Sequence, residues 1–263
     1  AGHIFPAVSI AEELNNSEKK YDILFVGAKG RMEMKKIPLK GYKIIGLWID
    51  GIQRSWNLRN IIFPIKLVIS LIHSLIILIQ YRPKIVIGTG GFASGPIVFV
   101  ATCFGIPTLI HEQNSFPGLS NRLLSYFVNK ICVSYDNMDS YFPSKKIIKT
   151  GNPIRKNLKK IIDKDKAAEY FELDSKKVTI LIIGGSLGAG PINNAIKKNI
   201  ERFSKFQIIW QTGNNNYEKC HSLCSKFQNI RVFNFIEKMD FAYTISDLVI
   251  SRAGAMAITE ISF

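Results

Sequence analysis

The chain has 263 residues, 47% of them hydrophobic, with 35 Lys and Arg against 20 Asp and Glu for a net charge of +15. That length accommodates one large domain or two moderate ones, and only four cysteines exclude a disulfide framework and point to a reducing compartment. The positive charge suits an acidic partner, whether an anionic membrane face, a phosphorylated substrate or nucleic acid, but no basic motif interleaved with aromatics supports the last, so no nucleic-acid partner is expected.

The chain opens on a glycine turn, AGHIFPA (1–7), with no methionine and no strand before it, and it closes on ITEISF without a capping signal. Both ends are expected to be cut from a longer protein. Apolar, β-rich runs then alternate with helical patterns: YDILFVG, YKIIGLWI, PKIVIGTGG, IPTLIHE, NKICVS and KIIKTGNP. Such alternation predicts a parallel sheet covered on both faces.

The most apolar stretch is IIFPIKLVISLIHSLIILIQYRP (61–83). Lys66, Ser70, His73 and Ser74 fall on one narrow helical stripe, Pro64 suits a first turn and Pro83 ends the pattern. The stretch reads as a plain buried helix, as a helix whose outer apolar face touches a bilayer, or as a span at the short limit of about 17 residues.

The charged, poorly periodic segment KNLKKIIDKDKAAEYFELDSKK then reads as a junction, dividing the chain into domains of residues 1–155 and 156–263. Alternation resumes with VTILIIGGS, FQIIWQTG, IRVFNFI and DLVISRAGA. The expected fold class is α/β, two Rossmann-like parallel-sheet domains in tandem, with ligands beyond the carboxyl ends of the strands. Cys220, His221 and Cys224 resemble a metal cluster, but one helix without a second ligand pair does not close a tetrahedron, and no metal is predicted.

The glycine turns are of a kind that usually holds an anion. Backbone N–H groups at a helix start bind phosphate, and glycine lets the anion approach. GGSLGAG (184–190) and SRAGAMAITE (251–260) each follow an apolar strand and precede a helix, a pair able to cradle a nucleotide diphosphate. Neither ends in the GK[ST] of a P-loop. Glu260, just inside the second helix, reads either as an acceptor for both hydroxyls of a ribose or as a solvated helix glutamate. IGTGGFASGP (87–96) satisfies G-x-G-x-x-A from Gly88 to Ala93, with Glu112 where a ribose-binding acid belongs, so a nicotinamide-dependent oxidoreductase is the alternative reading. HEQNSFPGLSNR (111–122) sets His111, Glu112, Gln113 and Asn114 at a strand end, either a cleft wall or a hydrogen-bonded loop. Arg155, in GNPIRK, reads as a surface arginine or as one reaching toward a diphosphate.

Taken together, AGHIFPAVSIAEEL, GTGGFASGP, IPTLIHEQNSFPGLSNR, TGNPIR, IIGGSLGA, FNFIEKM and SDLVISRAGAMAITEI closely resemble the MurG family of glycosyltransferases, with the motifs in family order from Ala1 to Phe263. The resemblance implies a GT-B architecture, its two domains facing a cleft and the second incomplete. It implies an inverting transfer of N-acetylglucosamine from UDP-N-acetylglucosamine to the 4-hydroxyl of undecaprenyl-pyrophosphoryl-muramyl-pentapeptide in peptidoglycan synthesis. By that resemblance His3 is the base, and Gly2, Asn114, Arg155, Ser186, Ile236, Ala255, Met256, Ala257, Ile258, Thr259 and Glu260 bind the donor. Ile236 lies against the uracil, Ser186 and the 254–256 backbone serve the diphosphate, and Glu260 serves the ribose. Gly2, Gly90, Gly91 and Glu112 meet the acceptor, whose pyrophosphate rests on the glycine turns of the first domain. No cofactor and no metal are implied, and no Asp-x-Asp pair sits at a strand end. The helix at 61–83, with Arg54, Arg59, Lys66 and Arg82 around it, resembles the family's membrane-contact region, which implies a peripheral protein on the cytoplasmic face of the bacterial plasma membrane. Three positions depart from the family pattern: Ala1 for glycine, Phe92 for tyrosine and Ala257 for threonine. The chain also stops before the glutamine-bearing loop by which the family reads the donor sugar.

Overall fold

The computed structural model describes residues 2–51, 61–155, 158, 162–185 and 187–263. The chain divides into two compact units, residues 1–153 and 154–263.

In the first unit, with elements numbered along the chain, α1 (Ile4–Asn15) precedes β1 (Leu24–Ala28), α2 (Glu33–Lys36) and β2 (Lys43–Leu47). β1 and β2 pair in parallel, Leu24 opposite Lys43. After α3 (Phe63–Tyr81) come β3 (Val86–Gly88), α4 (Ser94–Cys103), β4 (Thr108–Glu112), α5 (Leu119–Leu124), β5 (Lys130–Val133) and β6 (Ile147–Lys149). These last four strands form one parallel sheet in chain order. Each crossover is helical or looped, as parallel pairing requires. Its core gathers Val98, Ala101, Ile110, Ile131 and Val133.

The α3 helix is apolar on both faces: Ile77 and Leu78 are buried in the core, and Leu67, Leu71 and Leu75 pack against it. Ser70 and Ser74 are fully buried, and Ser70 Oγ donates to the Trp48 carbonyl at 3.1 Å. Ile65, Val68, Ile69, Ile72, Ile76 and Ile79 stand in solvent. Only 22% of its apolar window is buried, which overturns the reading as a plain core helix. Small serines let the helix lie close to its neighbours, and these six side chains are left outside. Lys66 forms an ion pair with Asp50, so its charge is already matched inside the unit.

In the second unit, α6 (Lys164–Phe171) leads to β7 (Thr179–Ile183), α7 (Gly190–Lys198), α8 (Ile200–Phe203), β8 (Gln207–Gln211), α9 (Tyr217–Cys224), β9 (Ile230–Phe233), α10 (Met239–Ile245), β10 (Leu248–Ser251) and α11 (Ala255–Ile261). Part of the segment expected to be a bare junction is thus the α6 helix. The Asp163 carboxylate caps it, accepting from the Asp165 and Lys166 amides at 2.8 and 3.2 Å, and Ala167, Ala168 and Phe171 enter the core.

The strand period divides the core by face. Ile180, Ile182, Ile208 and Trp210 pack on one side with Ile196 and Cys220, whereas Leu181, Ile183 and Ile209 pack on the other with Phe171, Ala242 and Ile245. Each such side chain contributes about 1.5–3 kcal/mol on burial. Continuous apolar runs are what a sheet covered on both faces needs. Cys220 and Cys224 belong to this packing, and burial pushes the Cys224 thiol up to about 11, so it stays protonated.

The second sheet runs β10-β7-β8-β9, all parallel. Chain order therefore reverses between β7 and β10, and a doubly wound sheet opens a crevice at that switch point.

Candidate active site

The switch point brings together the two glycine turns of the second unit. β7 and β10 are hydrogen-bonded neighbours, Ile183 opposite Ser251. The loop 184–189 leaves one strand and 252–254 the other, so α7 and α11 both begin above the same strand ends. First-turn amides of a helix lack intrahelical acceptors and carry positive potential.

The glycines of the first turn serve backbone contact as well as access. A Cβ on Gly188, at φ +76°, would lie 1.9 Å from the Thr212 carbonyl oxygen, and one on Gly213 would lie 2.1 Å from the Leu187 carbonyl oxygen. The turn is thus clamped backbone to backbone against the exit of β8. Gln211, missed in the sequence, bridges the neighbouring loops: its Nε2 donates to the Gly185 carbonyl at 2.9 Å and its Oε1 accepts from the Ile236 amide at 2.8 Å. Asn193 donates to the Thr212 carbonyl at 2.8 Å and accepts from the Trp210 indole at 3.1 Å. A glutamine ending an apolar strand in WQTG was the available signal.

Arg155 and Glu260, expected on diphosphate and ribose, engage each other. The guanidinium donates through Nε and Nη2 to the two carboxylate oxygens at 2.7 and 2.6 Å, and the Tyr243 hydroxyl donates to the same carboxylate at 3.2 Å. Burial, then the Glu260 charge, push the Tyr243 phenol far above its ordinary value, so it remains a donor. Glu260 is buried rather than a solvated helix glutamate. Its carboxylate offers about four lone-pair positions, three of them used, so it does not stand open to both hydroxyls of a ribose.

Ala255 to Thr259 form α11 with Glu260, and Thr259 Oγ1 donates to the Ala255 carbonyl at 2.8 Å. The Ile236 side chain is buried in the core with Leu181 and Met239, so only its backbone is offered at the loop. Ser186 lies outside the described residues, as do Ala1, Arg54 and Arg59. Gly2 and Asn114 belong to the first unit, the other predicted donor residues to the second.

In the first unit, His3 caps α1 and the GTGG turn wraps its ring. His3 Nδ1 lies 2.9 Å from the Thr89 carbonyl and 3.3 Å from Gln113 Oε1, while Thr89 Oγ1 donates to the His3 carbonyl at 2.9 Å. Gly90 and Gly91 hold φ of 91° and 83°. A Cβ on Gly90 would lie 2.7 Å from His3 Nδ1, so glycine is required there by both conformation and proximity. His3 itself is exposed.

The HEQN loop is an inward network. Glu112 is 1% exposed; one oxygen accepts from the Asn114 amide and side chain at 3.0 and 2.9 Å, the other from the Gly118 amide at 3.2 Å and Asn121 at 2.9 Å. With both oxygens occupied and buried, Glu112 shapes the loop and offers nothing to the ribose of a dinucleotide. Gln113 donates to His111 Nδ1 at 3.0 Å, and His111 Nε2 donates to the Gly151 carbonyl at 3.0 Å. Burial holds the His111 imidazole below its ordinary value, against the opposing pull of the Gly151 bond and the Glu112 charge.

Two parallel-sheet α/β units, one with paired glycine turns at a switch point and one with an exposed histidine beside a strand-end turn, define a nucleotide-binding enzyme of the GT-B class. The profile for the glycosyltransferase family 28 N-terminal domain matches residues 1–133, and that for the family 28 C-terminal domain matches residues 179–263. A chain of Flavobacterium psychrophilum is 49% identical over 99% of this one and 72% of its own length. One of Bacteroides thetaiotaomicron is 47% identical over 98% and 72%. Both are named UDP-N-acetylglucosamine–N-acetylmuramyl-(pentapeptide) pyrophosphoryl-undecaprenol N-acetylglucosamine transferase. The crystal structure of MurG from Acinetobacter baumannii aligns over 99% of this chain and 71% of that one at a TM-score of 0.66 and 29% identity. A UDP-GlcNAc 2-epimerase from Neisseria meningitidis shares the fold at a TM-score of 0.62 and 18% identity, over 96% of this chain and 75% of its own. The chain belongs to glycosyltransferase family 28, as its motifs imply, and the nicotinamide reading falls with Glu112.

Proposed function

We propose that this protein moves N-acetylglucosamine from UDP-N-acetylglucosamine to the 4-hydroxyl of lipid-linked muramyl-pentapeptide, with inversion, in peptidoglycan synthesis. The observation that carries the reading is 49% identity, over 99% of the chain, to a relative named for that transfer. The site chemistry supports it. His3 takes the proton from the attacking hydroxyl, and the oxygen's electron pair forms the new bond to the anomeric carbon. The bond from that carbon to the phosphate oxygen breaks, and its pair leaves with UDP, where the helix starts after β7 and β10 and Arg155 receive the charge. Glu260 accepts from the ribose by exchanging one of its present bonds, with Tyr243 and Arg155 keeping it charged and aimed. The GTGG turn, lying on the His3 ring, borders the acceptor. The test is direct: the full-length protein given labelled UDP-N-acetylglucosamine and the undecaprenyl-linked acceptor is expected to yield a β-linked disaccharide. Label left wholly in the nucleotide sugar would refute the assignment.

We further propose that the outer face of α3 rests on the membrane that carries the acceptor. Six exposed isoleucine and valine side chains on one helix are a large solvent-exposed apolar face, and Arg82 at its end supplies charge for anionic lipid. Replacing Ile72 and Ile76 by Asp removes side chains worth about 1.5–3 kcal/mol each on burial. Co-sedimentation with phosphatidylglycerol vesicles should drop at least about 10-fold, with UDP affinity unchanged. Undiminished sedimentation would remove α3 from that role.

A further inference from the structure

We propose that Gln113, held in place by His111, joins the Thr89 carbonyl in positioning His3 as a base: the two acceptors keep the hydrogen on Nδ1, and Nε2 presents the lone pair. The inference rests on the reading of His3 as the base.

The chain of contacts leaves one consistent assignment of hydrogens. The Gln113 atom taken as Nε2 lies 3.0 Å from the Thr89 carbonyl and 3.2 Å from the His111 carbonyl. Both oxygens only accept, so that atom must be the amide nitrogen and its partner must be the oxygen. His111 confirms the orientation from the other side. Its Nε2 faces the Gly151 carbonyl at 3.0 Å and so carries a hydrogen, which leaves Nδ1 of the neutral ring to accept from Gln113 at 3.0 Å. Gln113 is 2% exposed and His111 3%, so water does not substitute for these partners.

The consequence falls on His3. Its Nδ1 faces two oxygens that only accept, the Thr89 carbonyl at 2.9 Å and Gln113 Oε1 at 3.3 Å. A bare Nδ1 there would set three lone pairs against one another. With the hydrogen on Nδ1, Nε2 is the nitrogen free to take the acceptor's proton. The imidazolium that results keeps both oxygens against its Nδ1–H and is stabilised by them. Gln113 thus acts through His3, in the way that a partner on one ring nitrogen sets the chemistry of the other.

Imidazole ¹⁵N NMR of the histidine-labelled full-length protein, with the His3 signal assigned by its loss in His3→Gln, should show the Nδ1–H tautomer. Gln113→Leu removes one acceptor from the ring. It should lower kcat by about 10- to 100-fold, move the ascending limb of the rate–pH profile to lower pH and leave UDP affinity unchanged. A wild-type His3 found as Nε2–H would overturn the proposal, and so would a folded Gln113→Leu variant with the wild-type rate and pH profile. Where that variant does not fold, the wild-type spectrum still decides the tautomer, and an Nε2–H ring there overturns the proposal. Transfer surviving His3→Ala would sink the base reading and leave the tautomer result standing, whereas an Nε2–H ring with His3→Ala inactive would sink only the role of Gln113.

Discussion

His3→Ala should lower the rate of sugar transfer by about 10²- to 10⁴-fold, the usual contribution of a positioned general base, while UDP binds as before. The rate falls because, among the described residues, none beside His3 replaces it: Thr89 presents a carbonyl to the ring, Gln113 an amide oxygen, and Gly90 and Gly91 only backbone. Folding is spared because His3 is exposed and its side chain makes no capping bond to α1. UDP affinity is spared because Arg155, Glu260 and the clamped glycine turn belong to the other unit. Steady-state kinetics with calorimetric titration of UDP separate the two quantities. Activity within a few fold of wild type removes His3 from proton transfer, and a parallel loss of UDP binding assigns it to the donor instead.

Much of the fold was legible because a sheet covered on both faces leaves a distinct trace, short apolar runs such as TILII and QIIWQ that lead into glycine turns. Period and length sufficed to place those strands. Strand order was not legible. Nothing local to DLVIS says that it pairs with TILII rather than with IRVF, and that pairing is what brings the two glycine turns together. The α3 helix misled for a related reason. A hydrophobic helix gives no sign of which face is inward, and here Ser70 and Ser74 turned inward with Ile77 and Leu78 while Ile65, Val68, Ile69, Ile72, Ile76 and Ile79 turned out. The charged stretch before β7 hid α6, whose core face is only two alanines and Phe171. At the site, the residue types were readable but their partners were not. Arg155 and Glu260 lie 105 residues apart in sequence and form a bidentate pair, and Gln113 looked as much like loop polarity as like function until His111 and Thr89 fixed its amide.

The glycine turn after β7 predicts the largest loss of stability. Gly188→Ala should destabilise the second unit by about 3 kcal/mol or more, among the costlier single substitutions. A side chain at φ +76° costs about 1–2 kcal/mol by itself. The added Cβ would also sit 1.9 Å from the Thr212 carbonyl oxygen, closer than any non-bonded approach allows. That carbonyl cannot retreat freely. It accepts from Asn193 at 2.8 Å, and Asn193 in turn accepts from the fully buried Trp210 at 3.1 Å, so moving it breaks a bond in the core. Two neighbours supply the scale. Gly185 also has positive φ but open space around its Cβ position, so Gly185→Ala should cost only the conformational part, about 1–2 kcal/mol. Gly190 opens α7 with nothing within 4 Å, and Gly190→Ala should fall within about 0.5 kcal/mol of wild type. Urea midpoints of the three variants, followed by tryptophan fluorescence, to which the buried Trp210 of the second unit contributes, should therefore rank Gly190→Ala above Gly185→Ala and Gly188→Ala last. Equal midpoints for Gly188→Ala and Gly185→Ala would mean that the turn yields, and that backbone contact with Thr212 is not what demands glycine there.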